Sequence, residues 1–257
     1  MTVKDVYDFL DRLAPFATQD KFDNSGLLAG SLDAEVTKIA VCLDITKEVI
    51  DEAASLGANL LVSHHPVIFH PLKAVASDSV IASLIEKKMN AVCVHTNMDM
   101  AKGGVTDIML DLLDFRGTEV FDVIHPSLGL GYGKIVELDF GADAKSLAEL
   151  CKKAFGCTVV RFSDNNRPCK RIVVCSGAGG SDAYVARAAE LGCDALITGD
   201  VKWSAFVEGK NRGVAVIDAG HFHTENILCN VLVSKLSREF DAEVFIPCAN
   251  EDLCRYV

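Results

Sequence analysis

The chain has 257 residues, enough for one large or two modest domains with a packed core. Its 50% hydrophobic and 24% charged residues are the mix of a globular protein and exclude a disordered or fibrous one. The net charge of −11, with no basic block or stripe, lacks the electrostatic footprint of a nucleic-acid or anionic-membrane binder.

Val3 to Leu13 carries apolar residues at helical spacing, and Pro15 ends the run. This charged amphipathic start is not a signal peptide, and no apolar run approaches the roughly 18 residues that span a bilayer, so a cytoplasmic protein is expected. Asp23-Asn24-Ser25-Gly26 is a turn cluster. Lys38–Leu43 reads as a buried strand and Lys47–Leu56 as a helix stopped by Gly57. Leu60–Ser63 is a second short apolar strand, and it ends abruptly in His64-His65-Pro66. The proline forbids a central strand from continuing, so two imidazoles are held side by side at a strand end. Ser79–Met89 is helical, Ala91–Val94 is a third strand ending in His95-Thr96-Asn97-Met98-Asp99, and Val105–Leu113 is another helix. Strands alternating with helices imply a parallel α/β sheet.

Residues 116 to 134 are turn-rich, with Gly129, Gly131 and Gly133, and a domain boundary is placed near 125. Lys134–Phe140 reads as a strand and Ala144–Phe155 as a helix. The run Lys170–Cys175 then resembles Thr37–Cys42, the helix Ala183–Leu191 is stopped by Gly192 as its counterpart is by Gly57, and Cys193–Thr198 matches Ala58–Ser63. Gly199-Asp200 falls where His64-His65 falls. This internal repeat of a β-α-β unit implies an α/β fold of two similar lobes facing each other across a cleft. The first lobe is expected to span 1–125, completed by 215–257, and the second 126–214. Gly213–Ile217 is a further strand leading to Gly220-His221-Phe222-His223-Thr224-Glu225, followed by a helix, Asn226–Phe240, and a last strand, Glu243–Ile246.

Three strand ends therefore present ligand-type residues: His64 and His65, His95 with Asp99, and His221 with Glu225. Sites in open α/β sheets form at the carboxyl ends of parallel strands. His221 and Glu225 are four apart at a helix start and share a face if helical. Three imidazoles, His64, His65 and His221, with two carboxylates, Asp99 and Glu225, exceed the needs of one tetrahedral ion and suit two divalent ions. The mixed nitrogen and oxygen set accommodates zinc, manganese, iron or nickel. Taken singly, His221 also reads as a capping or core histidine, Glu225 as a solvated charge at a helix start, and His95 as a hydrogen-bond partner of a ligand. Asp200 and Lys202 read either as substrate contacts or as loop caps. His70, His125 and His223 carry no argument.

The ten cysteines show no Cys-x-x-Cys spacing, and buried thiols behaving as small hydrophobes are expected. No Gly-x-Ser-x-Gly elbow, P-loop or His-Glu-x-x-His is present. Gly177-Ala178-Gly179-Gly180 reads more readily as a tight strand-to-helix turn than as a phosphate cradle.

Ser63-His64-His65-Pro66, His95-Thr96-Asn97-Met98-Asp99, Ile197-Thr198-Gly199-Asp200-Val201-Lys202 and Gly220–Glu225, in this order, resemble the NIF-three-like proteins, which include the GTP cyclohydrolase 1 type 2 homologs. The Asp23–Gly26 turn resembles that family's N-terminal signature. The resemblance covers essentially the whole chain. It implies a two-lobed α/β fold, a dinuclear metal centre on His64, His65, Asp99, His221 and Glu225, and a ring-shaped homohexamer. The chain departs from the family pattern at Trp203-Ser204, where a histidine is common nearby, and at His223, where a small residue is common. The function implied is a metal-dependent hydrolase of a small molecule, with a purine nucleotide as the candidate substrate. In its cyclohydrolase form, hydroxide attacks the imidazole-ring carbon of GTP and the ring opens with loss of formate. The alternative is a non-catalytic metal-binding scaffold or partner-binding regulator.

Overall fold

The computed structural model describes residues 1–257. The first elements in chain order are α1 (Val3–Leu13), β1 (Gly26–Ala29), β2 (Lys38–Cys42), α2 (Lys47–Ser55), β3 (Leu60–Ser63), α3 (Val80–Glu86), β4 (Asn90–Cys93) and α4 (Thr96–Met100). They are followed by α5 (Val105–Leu113), β5 (Gly117–His125), β6 (Leu130–Ala142), α6 (Ala144–Phe155), β7 (Arg161–Phe162), β8 (Cys169–Val174), α7 (Asp182–Glu190) and β9 (Ala195–Thr198). The chain closes with α8 (Trp203–Arg212), β10 (Ala215–Asp218), α9 (His221–Glu225), α10 (Ile227–Glu239) and β11 (Glu243–Phe245). No helix is long and apolar enough to cross a membrane.

The chain divides into two compact units, Met1–Ala101 with Leu228–Leu253, and Lys102–Ile227 with Cys254–Val257. The divisions thus fall at 101/102 and 227/228, not near 125 and 214/215. The cause lies in packing. Leu110 and Leu113 of α5 join the core of the second unit, β5 pairs with β6, and β10 pairs with β9. The segment 116–134, expected to be turns, is mostly the β5–β6 hairpin. Gly129 lies in the turn between the strands, whereas Gly131 lies within β6, where a side chain would meet the Asp122 carbonyl oxygen at 1.9 Å.

The first unit holds a five-stranded sheet in the order β1-β4-β3-β2-β11. Strands β2, β3, β4 and β11 are parallel and β1 is an antiparallel edge. Every residue of β3 and β4 is buried, as expected of parallel strands covered on both faces. Helix α2 starts where the Thr46 side chain accepts from Val49 N at 3.2 Å, and it packs Val49, Ile50 and Ala53 over Ala40, Cys42 and Leu61.

The second unit holds a six-stranded mixed sheet in the order β5-β6-β8-β9-β10-β7. Strands β8, β9 and β10 are parallel. The pleat sends Ile172 and Val174 into a core with α5 and α6, and Val173 into a separate core with α7 and α8. Each unit therefore contains a β-α-β-α-β run, β2 to β4 and β8 to β10, with the intervening helices α2, α3 and α7, α8. None of the ten cysteines is joined in a disulfide, and Cys42, Cys93, Cys175 and Cys193 are buried.

Candidate metal centre

In the first unit, the parallel ladder extends past the end of β3. His64 N donates to Cys42 O at 3.2 Å and His65 N to Leu43 O at 2.9 Å, so both backbones are fixed before Pro66 stops the strand. The His64 side chain is fully buried and its Nδ1 lies 2.8 Å from Val94 O. A carbonyl only accepts, so Nδ1 carries the proton and Nε2 offers its lone pair. His65 Nδ1 lies 2.8 Å from Asp44 Oδ1, and His95 Nδ1 lies 2.7 Å from Asp23 Oδ1. All three rings therefore turn Nδ1 to an acceptor. This is the arrangement that orients metal-binding imidazoles and raises their basicity.

The ligand atoms of His64, His65 and His95 lie within 4.8 Å of one another. His64 Nε2 and Asp99 Oδ1 are 3.6 Å apart, too long for a hydrogen bond. Ligand bonds of about 2.0–2.2 Å around one tetrahedral ion would set two such atoms roughly 3.4 Å apart. The buried nitrogen and oxygen of this pair thus fit a shared ion, and the first unit's donors suit a borderline divalent metal.

Asp23 braces the arrangement through His95 and Thr96. Its side chain is fully buried, and besides facing His95 it accepts from Thr96 N at 3.0 Å and from Thr96 Oγ1 at 2.5 Å. Burial works to raise its pKa. The hydrogen bonds from His95 and Thr96 outweigh that and hold the carboxyl well below the usual carboxylate range.

In the second unit, β10 runs into Gly220, whose φ of +82° turns the chain into α9. His221 and Glu225 then share one helix face, with His221 Nε2 and Glu225 Oε2 2.8 Å apart. Glu225 is buried and His221 Nδ1 lies 2.7 Å from Asp200 Oδ2. Burial pulls the imidazole pKa down, but Glu225 and then Asp200 more than reverse this and raise it to about 9. A side chain at Gly177 would come 1.8 Å from Glu225 Oε1 and 3.3 Å from His221 Nε2, so this glycine makes the room the pair occupies. Gly177 N donates to Thr224 Oγ1 at 3.1 Å, and Gly177 O accepts from Gly199 N at 3.0 Å. The Gly177–Gly180 stretch is therefore a tight turn supporting α9.

The expected ligands fall in two sets, His64, His65 and Asp99 in the first unit and His221 and Glu225 in the second. His95 joins the first set, because its ring lies 5.3 Å from that of His64 and 5.6 Å from that of His65. Asp200 is an orienting partner of His221, while Lys202 is exposed at the start of α8. Sequence reasoning missed Asp23 and Asp44 as orienting carboxylates. Asp44 stands just past the end of β2, so the strand-end argument that selected the histidines also reaches it.

Parallel strands whose carboxyl ends gather imidazoles, each turned by an acceptor, define an α/β protein with histidine and carboxylate groups that could hold a metal ion. The chain belongs to the Duf34/NIF3 (NGG1p interacting factor 3) family, whose profile matches residues 1–252. It is 31% identical over 249 residues to the GTP cyclohydrolase 1 type 2 homolog of Clostridium perfringens, covering 95% of this chain and 94% of that one. A Helicobacter pylori protein named GTP cyclohydrolase 1 type 2 is 29% identical over 248 residues, 95% of each chain. A solved structure of a Staphylococcus aureus protein matches with a TM-score of 0.89 at 26% identity, over 100% of this chain and 99% of that one.

Proposed function

We propose that the protein is a metal-dependent hydrolase of a small molecule, with a purine nucleotide as substrate and ring opening of the GTP cyclohydrolase kind as its reaction. His64, His65 and Asp99 of the first unit and His221 and Glu225 of the second are its ligands for two divalent ions. The observation that carries this reading is the buried His64–Asp99 pair, whose 3.6 Å separation suits a shared ion beside two further oriented imidazoles. The names carried by the relatives in Clostridium perfringens and Helicobacter pylori support the reaction class.

Ions held there supply Lewis acidity and generate a hydroxide nucleophile at neutral pH. The chain's own residues supply the rest. Asp23, ionised and buried, fixes His95 beside His64 and His65 so that its Nε2 would help them hold the ion. Phe69 lies with its ring 6.2 Å from that of His95 and 6.2 Å from that of Phe22, and both phenylalanines are exposed. Tilted 46° to each other, they offer apolar faces to the ring of a purine. The reading includes a homohexamer, and sedimentation showing a monomer would remove that part.

The test is elemental analysis of the purified protein, followed by incubation of the loaded protein with GTP and measurement of formate. About two transition-metal ions per chain are expected, with loss of metal in Glu225→Ala and of formate release in His64→Ala. Full loading without formate from any nucleotide would overturn the hydrolase and leave a metal-binding scaffold.

A further inference from the structure

The only tryptophan, Trp203, opens α8 and is 80% exposed. Phe206, Val207 and Lys210 follow at three, four and seven residues, so all four lie on one helix face. With Arg161 and Phe162 of β7 they line a cavity of about 500 Å³, within the range of small-molecule sites. The walls are apolar and aromatic, and the Arg161 guanidinium sits 5.4 Å over the Phe206 ring.

Every polar side chain at this cavity can donate a hydrogen bond, and none is a carboxylate. The Lys210 ammonium, the Asn211 side-chain amide and the Trp203 indole N–H make no hydrogen bond or ion pair within the chain. Ser163 Oγ accepts from Val216 N at 3.1 Å and keeps its own proton to donate. On a chain of net charge −11, a lysine with no carboxylate partner beside aromatic rings is complementary to an anion. Arg161 is already committed, donating to Asp218 and, at 2.8 Å, to Val201 O. It therefore stiffens the wall and leaves the anion to Lys210. Asp218 in turn accepts from Gly220 N at 3.1 Å, so the same arginine braces the turn that leads to His221.

We propose that this cavity is a binding site for a small aromatic anion, separate from the metal ligands, with the ring against Trp203 and Phe206 and the negative group at Lys210. Stacking on an exposed indole accepts many ring types, so the site selects for a flat ring carrying phosphate, sulfonate or carboxylate more than for one base.

The single tryptophan makes the cavity directly observable. The EDTA-treated 257-residue chain is titrated with anilinonaphthalene sulfonate while Trp203 is excited. The expected result is saturable energy transfer, reversed by GMP, reversed at least roughly fivefold less well by guanosine, and unaffected by inorganic phosphate at equal concentration. Lys210→Met weakens the probe and GMP about fivefold or more, and Val207→Glu, which adds a carboxylate to the lining at an exposed position, weakens them further. Melting temperature and metal content stay unchanged in both variants. Affinity in Glu225→Ala equals that of the wild type, which separates this site from the metal ligands. Absence of saturable transfer, equal affinity in both cavity variants, or loss of binding in Glu225→Ala would each overturn the proposal.

Discussion

The β-α-β-α-β runs of the two units use the same strand ends differently. In the first, the middle strand β3 delivers His64 and His65 directly. In the second, the middle strand β9 delivers Gly199 and Asp200, and the imidazole comes from the next strand, as His221. Both runs place a histidine after their third strand and a carboxylate four residues later, His95 with Asp99 and His221 with Glu225. The pairings then diverge. His95 turns to Asp23 and leaves Asp99 facing His64, whereas His221 faces Glu225 itself. One scaffold thus makes a donor-rich end when the middle strand carries histidine. It makes a support for a single donor pair when that position is glycine followed by aspartate. Asp200 adopts φ +50°, a strained setting for a residue with a side chain, and uses it to reach His221 Nδ1.

If that contrast is right, the two middle-strand ends should tolerate substitution unequally. A methyl group at Gly199 would meet Gly177 O at 2.7 Å, His221 N at 2.7 Å and the Gly220 carbonyl carbon at 2.8 Å, all backbone atoms. Gly199→Ala is expected to cost about 3 kcal/mol, lowering the melting temperature by on the order of 10 °C. A melting curve matching the wild type would show that the close approach is dispensable and that glycine is not what distinguishes the second run.

The next largest effect concerns the orienting carboxylates. The Asp23 side chain is 0% exposed and that of Asp200 is 59% exposed. Loss of an orienting partner typically weakens metal binding roughly 10–100-fold. Asp23→Asn should fall at the upper end and Asp200→Asn near the lower, measured by competition with a metal chelator. The reverse order would mean that exposure does not set the strength of the hold. Asp23 also gives a pH signature. Its folded pKa is depressed, so its stabilisation is present above the ordinary carboxylate range and is lost as pH falls through and below it. In urea unfolding of the metal-free protein, the gap between wild type and Asp23→Asn should be wider at neutral pH than at about pH 3. An equal gap at both would deny Asp23 its charge.

His221 has the opposite sign. Its pKa is raised to about 9, against burial, by Glu225 and Asp200. In the metal-free protein its stabilisation is full below the ordinary histidine pKa of about 6.5 and disappears as pH rises through about 9. The imidazole NMR titration should show this midpoint, and Glu225→Gln should lower it more than Asp200→Asn does. A midpoint near 6.5 in the wild type would mean that the His221–Glu225 pair does not form without metal.

The buried strands and the placing of histidines at their ends were legible because both depend on local pattern. Short apolar runs ending in histidine mark strand ends, and strand ends of a parallel sheet mark sites. The spacing of His221 and Glu225 foretold one helix face, and they share it. What was not legible depends on partners distant in sequence. Asp23 reaches His95 across 72 positions, and nothing local to the Asp23–Gly26 turn announces it. The unit boundary near 101 was missed because α5 follows the first sheet in sequence but packs its leucines into the second core. The β5–β6 hairpin was read as turns because glycine is a turn signal locally, while Gly131 serves the close approach of a neighbouring strand.

The smallest expected effect tests where the two runs remain alike. Gly57 and Gly192 each follow the first helix of their run, at φ +82° and +70°. Around Gly192 nothing lies within 4 Å of an added methyl group, and around Gly57 only the Lys38 side chain approaches, at 3.9 Å. Substitution by alanine at either position therefore pays for left-handed backbone alone, about 1 kcal/mol, with no packing term. Gly57→Ala and Gly192→Ala should each lower the melting temperature by roughly 2–4 °C, by the same amount within error, and leave metal content unchanged. Unequal losses would mean that one helix end is held by contacts the other lacks, and the likeness of the two runs would then stop at strand order.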